Sequence, residues 1–156
     1  MEDILAALDD QQVELRELIT PVDPADWAKP SWCNGWSVSD VVLHLAQTNE
    51  MAIGSLTNTC DDVLISLTTG LPASDSVDDG AGLMVEHERG PSPEAVHARW
   101  RASVDTMMRA YWDADAHERV KWVAGTLSVH TLATTRLAET WIHTTDIAHG
   151  LEVSLT

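Results

Sequence analysis

Four stretches of this chain repeat apolar residues at three- and four-residue spacing over several helical turns, while no stretch alternates apolar and polar residues long enough to matter as a strand. The first, EDILAALDDQQVELRELI over 2–19, aligns Ile4, Leu5, Leu8, Gln12, Leu15, Leu18 and Ile19 and ends before Thr20-Pro21. The second opens on Ser37 as N-cap with Asp40 in its first turn and runs to about Leu56. It carries Val38, Val41, Val42, Leu45, Met51 and Ile53 as apolar positions. The third starts at Ser92-Pro93-Glu94, a cap, a proline at the first helical position and an acid in the first turn. Its stripe is Val96, Trp100, Val104, Met107, Met108 and Tyr111, ending near Trp112. The fourth fills 128–150, SVHTLATTRLAETWIHTTDIAHG, after a glycine break in ERVKWVAGTLS. The fold expected is all-α, a four-helix bundle in a single domain over 1–156. At 156 residues the core suffices without disulfides or a structural metal.

The connections differ in kind. Residues 21–36, PVDPADWAKPSWCNGW, hold three prolines and three tryptophans and read as a loop pinned to the bundle by its aromatics. CDDVLISLTTGL suits a short helix or an extension of the second helix. From Pro72 to Pro93 no periodicity persists, so a long loop between helices two and three is expected, placed to cover a site or shape substrate choice. A formal charge of −16 with nine Lys plus Arg argues against nucleic acid and anionic membranes as partners. Nor does any apolar run approach the ~20 residues a membrane span needs. Cys33 and Cys60 lack disulfide-like spacing and read as ordinary thiols of a cytoplasmic protein.

Chemistry concentrates in the fourth helix. Glu139 and His143 are four residues apart, which on a helix separates them by roughly 40° and about 6 Å along the axis, so both heads reach one point. A carboxylate and an imidazole on one point are two thirds of a His2Glu zinc set, and His44 on the second helix is the best third candidate. The alternative for His44 is a core histidine hydrogen-bonded to a neighbour. Asp40, one turn earlier, either orients the second ring nitrogen of His44 or is only a helix-start charge. Arg136, one turn before Glu139, suits a substrate carboxylate, a bidentate bond to Glu139, or a plain surface pair with it. Asp146, three past His143, suits an acceptor for a ligand histidine or an acid on a solvated face. Trp141 and Ile142 favour the first, because they suggest a largely buried helix. Glu86, His87 and Glu88 are adjacent and converge poorly on one ion; His130 points to a different face from Glu139 and reads as no ligand, and His97, His117 and His149 read as surface histidines.

Taken together, GWSVSDVVLHLA and RLAETWIHTTDIA resemble the metal-binding N-terminal domain of the mycothiol-dependent maleylpyruvate isomerase family, within the DinB-like superfamily. The likeness spans nearly the whole chain. It implies a DinB-like bundle with His44, Glu139 and His143 as metal ligands, zinc or another divalent ion. Trp141 matches the surrounding pattern, and Arg136 and Asp146 do so as candidate catalytic residues. It also implies mycothiol as cofactor: a thiol activated at the metal adds to an electrophilic small molecule and is expelled after bond rotation, giving isomerisation, or retained, giving S-transfer. Isomerases of the family carry a further C-terminal domain, so thiol activation carries over ahead of maleylpyruvate itself. The rival reading is a metal-binding bundle without catalysis, a binding module or a scaffold forming a homodimer. Coordination number separates the two, since structural zinc is closed by four protein ligands and catalytic zinc keeps one place open.

Overall fold

The computed structural model describes residues 1–155. In chain order it contains α1 (Glu2–Ile19), a 3-10 turn (Pro24–Ala28), α2 (Val38–Leu56), α3 (Cys60–Thr68), α4 (Val77–Glu88), α5 (Pro93–Asp113), a hairpin of β1 (Arg119–Trp122) and β2 (Gly125–Ser128), and α6 (Val129–Gly150). The helix starts are set by side chains. The Ser37 hydroxyl accepts from the Asp40 N–H at 3.1 Å while the Asp40 carboxylate accepts from the Ser37 N–H at 3.0 Å, a reciprocal capping box. Ser92 and Ser128 cap α5 and α6 by accepting from Ala95 N–H and Thr131 N–H.

The four long helices form the bundle. Helices α5 and α6 each pack on both α1 and α2, which take opposite corners. Because α3, α4 and β1 also pack on α2, fifteen of its nineteen residues are buried. Its polar members His44, Gln47, Thr48 and Asn49 therefore lie inside the protein beside the apolar core of Leu8, Leu15, Val42, Leu45, Trp100, Met107 and Leu132. No helix among the described residues is long and apolar enough to cross a membrane.

Two links depart from expectation. Inside the long loop expected from Pro72 to Pro93 lies α4, capped by Ser76, whose hydroxyl accepts from Asp79 N–H at 3.0 Å. Gly80 and Gly82 blur its periodicity and only Met84 and Val85 are buried, so partners elsewhere define it. Arg99 on α5 grips Glu50 with two bonds of 2.8 Å and Glu88 with bonds of 2.9 and 3.2 Å. Gln47 adds a 2.8 Å bond to Glu88, and Arg89 a two-point contact to Asp40. The other departure is the hairpin, antiparallel with Arg119 opposite Ser128 and only four residues per strand, too short for a legible alternation.

Loop 21–36 is pinned as its aromatics suggest. Trp27 is buried, the Trp32 N–H donates to the Asp146 carbonyl at 3.1 Å, and an isolated bridge joins Pro30 to Ser37. Gly150 ends α6 so close to this loop that a Cβ there would stand 2.5 Å from the Pro30 carbonyl oxygen.

Burial pushes the Glu88 carboxyl upward, but the hydrogen bonds from Arg99 and Gln47 outweigh it and hold the group below its ordinary value. A carboxyl depressed in the folded state contributes stability that is present above its unfolded pKa and is lost as pH falls through the folded value. Arg99→Met leaves two carboxylates without their cation, and we expect urea unfolding at pH 7 to lose about 1–3 kcal/mol, discounted for partial exposure. The variant should also lose less stability than wild type between roughly pH 5 and pH 3. An unchanged midpoint at both pH values would show that the clamp contributes nothing.

Candidate metal centre

Because α2 and α6 are neighbours in the bundle, His44 faces the Glu139 and His143 pair across one helix interface. The Glu139 Oε2 atom lies 3.4 Å from His143 Nε2 and 3.8 Å from His44 Nε2, and one donor atom from each residue falls within 4.8 Å of the others. Those separations are long for hydrogen bonds. They suit three ligands around one cation: tetrahedral bonds of about 2.0–2.1 Å place ligand atoms roughly 3.3 Å apart. Charge states agree with this. Burial lowers the His44 pKa, outweighing its contact with Glu139, so its imidazole is neutral at pH 7. Contacts with His143 and then His44 hold the Glu139 carboxyl far below its usual range. Were His44 and Glu139 an ion pair, His44 would be raised instead. A neutral imidazole and an ionised carboxylate are the ligand forms of these groups, and the residues fit a divalent metal.

Around this set, His143 Nδ1 and Asp146 Oδ2 lie 3.0 Å apart, the arrangement that fixes the ring and directs Nε2 to Glu139. Asp146 is 17% exposed at its side chain, so it is no solvated surface acid. Asp40 does not serve His44 in the same way. Its oxygens are taken by Arg89 and the Ser37 N–H, and His44 Nδ1 is buried with no partner among the described residues. The Trp36 ring packs against both imidazoles, at centroid distances of 4.9 Å to His44 and 6.4 Å to His143.

Arg136 lies where spacing alone would not put it. Only 1% exposed, it donates from Nη2 to Thr48 Oγ1 at 2.9 Å and Asn49 Oδ1 at 3.4 Å. Neither the bidentate bond to Glu139 nor a surface pair forms; the guanidinium is instead drawn to neutral acceptors on α2, and its charge reaches Glu139 through space. Trp141 and Ile142 also differ from expectation, being 59% and 45% exposed, so the outer face of α6 is not buried. Nor is His97 a surface residue, since it lies between the rings of Trp27 and Trp100. Spacing gave no sign of Cys33. The folded loop brings a donor atom of each of Cys33, His143 and Asp146 within 4.8 Å of one another, and burial, then Asp146, pushes the thiol pKa up.

A cavity of about 950 Å³ opens directly onto the centre, with Cys33, Trp36, His44, Arg136, Glu139 and His143 in its wall. Residues 8–148 match the model of the mycothiol maleylpyruvate isomerase N-terminal domain family. The chain belongs to this family. It is 27% identical over 131 residues to uncharacterized proteins from two strains of Mycobacterium tuberculosis, CDC 1551 and H37Rv, a match covering 83% of this chain and 49% of each relative. The chain thus spans about half the length of these relatives. Crystal structures of a mycothiol-dependent maleylpyruvate isomerase and of a histidine-to-alanine mutant of it superpose with a TM-score of 0.72 at 20% identity, over 94% of this chain and 60% of theirs. That likeness shows a shared fold.

If Asp146 orients His143, Asp146→Asn should weaken zinc affinity by about 10- to 100-fold in a competition titration with a chelating dye. In the same titration Asp40→Asn should leave zinc affinity unchanged, while costing on the order of 1 kcal/mol of stability through the lost cap. Equal zinc affinities for wild type and Asp146→Asn would remove Asp146 from the centre.

Proposed function

We propose that this chain is the metal-binding, thiol-activating domain of an enzyme that uses mycothiol to attack an electrophilic small molecule, with zinc or another divalent ion held by His44, Glu139 and His143. One observation carries the reading. Three donor groups converge at the wall of a large cavity, and the other donors at hand among the described residues, Cys33 and Asp146, group with His143 rather than with His44 and Glu139. A set of three with open access is the pattern of catalytic metal, whereas a structural site is closed by a fourth protein ligand.

A divalent cation there supplies Lewis acidity that favours the deprotonated form of a thiol entering from the cavity. The chain's own residues prepare the place. Asp146 accepts the Nδ1 proton of His143 and so fixes its Nε2 as the inward atom. Glu139 stays ionised and His44 neutral across the physiological range. From the inner wall, Arg136 presents a positive charge that favours an anionic sulfur beside it. Trp36 covers the two imidazoles and keeps water from one side. A thiol held there would be placed to add to an electrophilic carbon of a substrate in the cavity, and its later expulsion would give isomerisation, its retention S-transfer. Family membership supports mycothiol as the thiol and isomerisation as the reaction class.

Cobalt-substituted protein titrated with 2-mercaptoethanol should develop a saturable thiolate-to-cobalt charge-transfer band, absent in His143→Ala. Arg136→Met, an apolar replacement of similar volume, should keep cobalt bound but raise the thiol concentration at half-saturation roughly tenfold at pH 7, equivalent to about 1.4 kcal/mol. Cobalt binding with no such band at any thiol concentration would favour a closed, non-catalytic metal site and a scaffold role.

A further inference from the structure

The segment before α2 is fastened to the last turns of α6. The Ser31 hydroxyl accepts from the Cys33 N–H at 3.1 Å and donates to the Trp36 carbonyl at 2.7 Å, while the Trp32 N–H reaches the Asp146 carbonyl at 3.1 Å. Turn and tie together hold Cys33 beside His143 and Asp146, and one donor atom from each of the three lies within 4.8 Å of the other two. The sulfur is a free thiol, partly buried, in the wall of the large cavity.

His143 therefore borders two donor sets. Its Nε2 lies 3.4 Å from Glu139 Oε2, and its Nδ1 lies 3.0 Å from Asp146 Oδ2. Sulfur, nitrogen and oxygen ligands with bonds of about 2.0–2.3 Å to one cation stand roughly 3.3–3.7 Å apart, so a small rotation of the Cys33 side chain closes the second set. Such a mixture suits a thiophilic divalent cation, zinc or cadmium, and not magnesium or calcium, which take oxygen ligands. Burial, then Asp146, raises the Cys33 thiol pKa, so the sulfur keeps its proton until a cation displaces it.

We infer that Cys33, His143 and Asp146 form a second cation site, selective for thiophilic divalent ions, whose occupancy opposes metal binding at His44, Glu139 and His143. Binding exchanges the Cys33 thiol proton and the His143 Nδ1 proton for two metal bonds and releases both protons to solvent. The Asp146 carboxylate trades its hydrogen bond with His143 for a bond to the cation. The inner set thereby loses the acceptor that orients its histidine, and two cations on one imidazole repel each other. The second site stands on its own residues, and only the opposition rests on the reading of His44, Glu139 and His143 as metal ligands.

The probe is cadmium, titrated into the full chain and followed by its ultraviolet thiolate-to-cadmium charge-transfer band. Wild type should develop a saturable band, and Cys33→Ser, which keeps Cys60, should develop none. His143→Ala and Asp146→Asn leave the thiol in place and should each raise the half-saturating cadmium concentration at least tenfold. His44→Ala dismantles the inner set and should leave that concentration no higher than in wild type. From cobalt-loaded protein, cadmium should displace cobalt, read by its visible absorption, at a concentration at least tenfold lower in wild type than in Cys33→Ser. No band in wild type, or equal half-saturation in wild type, His143→Ala and Asp146→Asn, overturns the site and leaves a lone thiol. Loss of the band in His44→Ala overturns it too, because Cys33 would then be a fourth ligand of one closed centre. Equal cobalt displacement from wild type and Cys33→Ser overturns the opposition between the sites. A Cys33-dependent band in a protein that takes up no cobalt would retain the second site and sink the reading of the inner set.

Discussion

The burial of α2 on nearly every side is the constraint on which the rest depends. A helix covered by α5, α6, α3, α4 and β1 cannot turn its polar residues to water, so each must find a partner or a purpose inside. The Gln47 amide N–H groups go to Glu88 and the Met84 carbonyl while its Oε1 finds no partner among the described residues, and Thr48 and Asn49 accept from Arg136. His44 is placed differently: it meets Glu139 and His143 at distances that suit a shared cation better than a hydrogen bond, and its Nδ1 has no partner among the described residues. Packing here dictates chemistry, because the same burial that makes α2 central also keeps His44 neutral.

Two arginines of this acidic protein are put to different use. Arg99 is shared between Glu50 and Glu88 and fastens α4 to the bundle, while Arg136 has only neutral acceptors and a distant carboxylate. An Arg with carboxylates at bonding distance is structural glue. One buried without them keeps its field for whatever enters the cavity beside it. The two arginines thus separate support from electrostatics.

Much of the architecture was readable because its signals are local. Ser37 with Asp40, Ser92 with Pro93, and the apolar spacing of α1 and α5 are all written within a few residues of where they act. Helix α4 is hidden because two glycines and an acidic start suppress its pattern, and the contacts that hold it, a hydrogen bond from Gln47 and an ion pair with Arg99, come from other helices. At the site, the pairing of His143 with Asp146 follows from helical spacing. Arg136 was misplaced because spacing offered the nearby Glu139, whereas the fold offered Thr48 and Asn49 from the opposite helix. Trp141 and Ile142 misled for a simpler reason: large apolar side chains do occur on protein surfaces.

Helix ends ordinarily fray without consequence. Here Gly150 rests on the Pro30 carbonyl, and the Trp32 amide is tied to the Asp146 carbonyl, so the last turns of α6 are fastened to the segment bearing Cys33 and Trp36. Loosening at that tip would travel into the rings of His44 and His143 rather than dissipate in solvent, making the far end of the final helix a mechanical stop for the site.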